Sequence, residues 1–63
     1  MWKVKLDDNI WLAKGEYGPE TTSNESQAWL LPNIPAVQEQ LKKARSSNPY
    51  PNAMVIADFN NPE

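Results

Sequence analysis

The feature that most constrains the fold is a pair of apolar runs separated by Asp7-Asp8-Asn9. Before it, Trp2, Val4 and Leu6 alternate with Lys3 and Lys5, the period of a half-buried strand. After it, Ile10 to Lys14 forms a second run, closed by Gly15. The residues between are turn formers. Aspartate bonds its own backbone, and asparagine tolerates the left-handed region. The pattern predicts a β-hairpin at the N-terminus.

Loop length decides which side of that hairpin each residue takes. A two-residue loop, Asp8-Asn9, pairs Leu6 with Trp11 and sends the indole into the core. A three-residue loop with Asn9 left-handed pairs Leu6 with Ile10 and sets Trp11 opposite Lys5. A one-residue slip transfers a strand's whole side-chain set to the opposite face. The three-residue register is favoured because it buries Trp2, Val4, Leu6, Ile10 and Leu12 together. Lys3, Lys5, Trp11 and Ala13 then lie on the other face, with Trp11 expected to stand open beside the lysines.

Residues 15–26, GEYGPETTSNES, hold both glycines and a cluster of Thr, Ser and Asn. They read as a mobile polar loop. QAWLLP reads as a short third strand ended by Pro32. Asn33 can cap a helix with Pro35 in its first turn. Ile34, Val37, Leu41 and Ala44 recur at helical spacing, and Lys42, Lys43 and Arg45 follow at the C-terminal end, where cations suit the helix dipole. AMVIADF reads as the last strand, with Val55, Ala57 and Phe59 on one face and Met54, Ile56 and Asp58 on the other. Residues 60–63 read as a frayed tail. The expected fold is one α+β domain over residues 1–63. It has two layers, a small antiparallel sheet with a single helix on one face, in the order ββ(β)αβ.

Composition narrows the chemistry. A chain of 63 residues holds one thin core. It contains no cysteine and no histidine, which removes disulfides, thiolate nucleophiles, imidazole acid–base chemistry and the usual zinc ligands. Asp7-Asp8-Asn9 lacks the spacing of a calcium loop, and two glycines make no phosphate cradle. The chain therefore reads as no enzyme, with no cofactor, no metal and no catalytic residue. No apolar run reaches membrane-spanning length. The start, Met-Trp-Lys-Val-Lys, lacks the apolar stretch of a signal peptide, so a cytoplasmic location is expected. A net charge of −2 disfavours a nucleic-acid partner.

What remains is the sheet face that one helix leaves uncovered. Lys3, Lys5 and Trp11, joined by Trp29 and Met54, are the candidate partner-binding residues, since exposed Trp and Met beside cations suit a protein surface. A protein partner is expected first. A nucleic acid stacking its bases on the indoles is second, and self-association into a homodimer through a sheet edge or face is third. Against all three stands a simpler arrangement, in which Trp11 and Trp29 pack under the long loop or the Tyr50 connector.

The runs KVKLDDNIWLAKG, AWLLPNIPAVQEQLKKAR and PYPNAMVIADF resemble small uncharacterised proteins of bacteriophages and prophages of Gram-positive bacteria. That resemblance implies a phage-encoded protein in the cytoplasm of a bacterial host, acting as a binder or inhibitor of a host or phage protein. It brings no site residues with it. The element order is also similar to the small DNA-binding domains of some phage and transposon integrases, although those are basic and this chain is not.

Overall fold

The computed structural model describes residues 1–58; Phe59 and the tail at 60–63 lie outside the described residues. Four strands, β1 (Trp2–Asp7), β2 (Ile10–Lys14), β3 (Pro19–Thr22) and β4 (Met54–Ala57), form one antiparallel sheet in the order β3-β2-β1-β4. One helix, α1 (Ile34–Ala44), packs against β1 and β3. The chain is thus a small α+β domain, as the periodicities predict.

The N-terminal hairpin combines both loop alternatives. Asp7 pairs with Ile10, so the turn itself is the two-residue Asp8-Asn9. Asn9 is left-handed at φ 58°, and the Asp8 N–H bonds the Asp7 carboxylate at 2.8 Å. A bulge between Lys5 and Asp7 then absorbs one residue, and Lys5 pairs with Trp11. An extra residue on one strand shifts the register by one. The hairpin therefore has the face assignment of the three-residue loop. Val4, Leu6 and Leu12 are fully buried, and Trp2 and Ile10 pack against them.

Beyond Lys5 and Trp11 a different segment takes up the strands' bonding groups. The Trp29 N–H bonds the Leu12 carbonyl at 2.8 Å, while Leu31 exchanges bonds of 2.7 and 2.8 Å with Trp2. Residues 29–31 thus bridge β2 to β1, and Leu31 drops into the core. The expectation of a third strand at QAWLLP needs correcting here. Among the described residues this stretch makes only an isolated bridge, Trp2 with Leu31, and Pro32, which has no N–H to donate, ends it before a ladder forms.

The third strand is instead Pro19–Thr22, within the stretch expected to be a loop. Four residues, Gly15 to Gly18, turn the chain, with the Gly15 N–H on the Gly18 carbonyl at 2.8 Å and Gly18 at φ +134°. A 3-10 helix follows at Glu25–Gln27, capped by the Asn24 side chain on the Ser26 N–H.

The helix follows the sequence except at Ile34, which begins the expected apolar stripe but is exposed in the first turn. The Asn33 side chain accepts the Ala36 N–H at 2.8 Å, and Pro35 lies in the first turn. Val37 is fully buried, and Ala36, Leu41 and Ala44 pack beside it on the core.

Candidate functional site

The far face of the sheet, opposite α1, is organised around Trp11. Its strand is internal, with Thr22 of β3 on one side and Lys5 of β1 on the other. The Lys3 ammonium lies 5.3 Å from the ring centroid and the Lys5 ammonium 5.9 Å. Both are within cation–π range. Lysine stems are apolar and can cover a ring while their charged heads stay near it.

Lys3 in turn is held from two directions. Its Nζ is 2.6 Å from Glu25 on the 3-10 helix and 3.5 Å from Asp58 just after β4. The hydrogen bond to Glu25, reinforced by the charges of Glu25 and Asp58 against a smaller opposing cost of burial, raises the Lys3 pKa above its ordinary 10.5. The 3-10 helix lies against β2 and is pinned to β3, because the Thr22 hydroxyl donates to Gln27 and accepts from the Asn24 N–H.

The consequence is a second, smaller packed layer. Trp11 is 7% exposed, not open as the register alone predicts. It is absent from the cluster beneath α1 and lies under lysine stems beside the 3-10 helix. The register is right and the exposure is wrong, because the polar segment 15–26 folds back over that face. This is the simpler arrangement set against the binding readings above.

The five candidate residues do not form one surface. Lys3 is committed to its carboxylates and Trp11 is covered. Trp29 packs against the core cluster with the Lys14 ammonium 6.0 Å from its ring. Lys5 is half-buried beside Trp11, and Met54 alone is broadly accessible at 59%. Two shallow depressions flank β4. One, of about 350 Å3, is lined by Lys3, Glu25, Ser26, Ala28, Leu30 and Asp58. The other, about 210 Å3, is lined by Lys5, Asp7, Asp8, Asn52 and Met54.

Exposed large apolar side chains occur at Met1, Tyr17, Leu30 and Ile34 and, as neighbours on one strand, at Met54 and Val55 of β4. Met54 and Val55 are both exposed, on opposite faces of a strand whose residues Met54 to Ala57 carry no charge. Among the described residues, β4 pairs with β1 on one side only and is an edge of the sheet. The opposite edge, β3, begins with proline and carries Glu20, features that discourage pairing. The sequence signal for β4 was available in the uncharged, β-branched run MVIA. What could not be read was its place at an edge. Among the described residues no group of three or more carboxylates gathers to hold a metal, and no helix is long and apolar enough to cross a membrane.

Compared with protein-family models, with curated proteins and with solved structures, the chain has no significant match.

Proposed function

We propose that this chain is a non-enzymatic binding module that docks on a protein partner through the β4 edge, taking an extended segment of the partner as a further strand. The observation that carries the reading is the unprotected apolar edge itself. Met54 and Val55 are exposed on an uncharged strand that, among the described residues, is paired on one side only. In strand addition the backbone supplies affinity, and side chains on alternate faces supply selectivity. Met54 beside Lys5 offers an adaptable apolar contact next to a cation on one face, and Val55 offers a β-branched contact on the other. The resemblance to small phage proteins adds the expectation that the partner is a bacterial protein.

A nucleic-acid partner has less support. Stacking needs accessible rings and free cations, whereas Trp11 is covered and Lys3 is paired with two carboxylates. The test is capture from bacterial lysate by the tagged chain and by its Val55→Lys variant, with folding of both checked by circular dichroism. Proteins retained by the wild type and lost with Val55→Lys support the reading. Equal capture by both, or none by either, refutes it.

A further inference from the structure

We infer that the occupant of this edge in the isolated protein is a second copy of the same strand, paired antiparallel about a twofold axis through Val55. The inference rests on the reading of β4 as the docking edge and names what fills it.

The backbone phase of β4 decides the geometry. The Asp58 N–H donates to the Met1 carbonyl at 2.8 Å, which makes these two a hydrogen-bonded pair at the end of the β1–β4 ladder. Such pairs alternate along an antiparallel ladder. The N–H and C=O of Met54 and Ile56 therefore point to β1, and those of Val55 and Ala57 point outward. A twofold axis joining two antiparallel edges must run normal to the sheet, and it leaves every side chain on its own face. Only residues of like parity can then stand opposite each other. Centring on Val55 satisfies this and uses the outward groups: each Val55 N–H reaches the Val55 carbonyl of the other copy.

The side chains fit that register. On the helix face, the exposed Val55 meets its own copy next to the fully buried Val4 with which it is paired. The core row continues as Val4, Val55, Val55, Val4 across the junction. On the far face each Met54 stands opposite Ile56, so two such pairs make an apolar strip bordered by Lys5 and Lys3 of each copy. No like charges meet, because Met54 to Ala57 carry none. Moving the axis to Ile56 would set Met54 against the Asp58 carboxylate, so that register is disfavoured. The charge pattern thus permits a second copy as occupant and favours Val55 as the centre. A junction of one short strand is small, which puts the association in the weak range of interfaces.

Sedimentation velocity over a concentration series up to about 1 mM, suited to a small interface, tests this on three chains. The wild type should move from monomer toward dimer. Val55→Pro removes the outward donor while Met54 and Ile56 keep the β1 ladder, and proline is tolerated at edge positions facing away from the ladder. Val55→Lys puts a charge on the axis without any backbone constraint. Both variants should keep the wild-type circular dichroism spectrum and stay monomeric throughout. A wild type that stays monomeric overturns the inference, as does a Val55→Lys chain that dimerises like the wild type. A monomeric wild type that still captures a lysate protein in a Val55-dependent way overturns self-pairing and leaves the docking edge standing.

Discussion

Truncating Trp11 to alanine measures how far the far face is a packed layer. The indole is 7% exposed. A tryptophan buries about 150–250 Å2, which at about 25 cal/mol per Å2 corresponds to roughly 4–6 kcal/mol. Aromatic-to-alanine changes in cores cost about 3–5 kcal/mol. The lower end applies here, because lysine stems and a short 3-10 helix collapse onto a gap more readily than strands and a helix do. Loss of two ammonium contacts at 5.3 and 5.9 Å adds about 0.5 kcal/mol or slightly more, at the exposed-site end of the cation–π range. The expected loss is therefore about 3–4 kcal/mol. A domain this small shifts its Tm by about 4–8 °C per kcal/mol, so Tm should fall by about 20 °C. Net stability in this size class is about 3–5 kcal/mol, which leaves the variant near the point of unfolding. Urea denaturation and thermal melting followed by far-UV circular dichroism read this directly. Trp11→Phe should retain most of the stability. A Trp11→Ala chain melting within a few degrees of wild type would refute the packed layer and return the indole to solvent.

Three other outcomes follow from the same structure. Asn33→Ala removes the cap on the Ala36 N–H and should cost about 1 kcal/mol, seen as a Tm drop of several degrees, with Asn33→Asp close to wild type. Gly18→Ala places a side chain at φ +134° and should cost about 1–3 kcal/mol by denaturant titration, although the site itself has room. The Lys3 pKa is raised in the fold by Glu25 and Asp58. Its contribution is thus complete below the unfolded value of about 10.5 and is lost as pH rises through the higher folded value. Thermal melts taken above pH 10.5 should decline more steeply for wild type than for Lys3→Met.

Much of this fold was legible because local chemistry and tertiary need agree. The hairpin, the Asn33 cap and the Val37 stripe each follow from spacing and one or two special residues. The assignment of faces also held, although it is reached by a two-residue turn with a bulge at Leu6. Sequence patterns do not announce a bulge, since the net register is the same. The polar segment was misread for a physical reason. Thr21 and Thr22 favour strands, and Asn24-Glu25-Ser26 is a capping signature, but Gly, Pro and Ser around them outweigh both signals by composition. Its ordering depends on Thr22 reaching Gln27 and on Lys3 reaching Glu25, contacts between residues 5 and 22 positions apart. QAWLLP was misread for the converse reason. An apolar run that touches two strands through single residues looks in sequence like a strand that pairs with one. Exposure of Trp11 turned on the first of these errors, the polar segment, which is why a correct register still gave an incorrect surface.

The open side of β4 is the claim on which docking and self-pairing both depend. Amide hydrogen exchange along that strand tests it most directly, on protein dilute enough to be monomeric. Ile56, bonded into β1, should exchange slowly, whereas Val55 and Ala57 should exchange at rates near those of an unstructured chain, with Val55 slowing as the concentration rises. Protection at Val55 equal to that at Ile56 in the dilute sample would mean the edge is already occupied within the monomer.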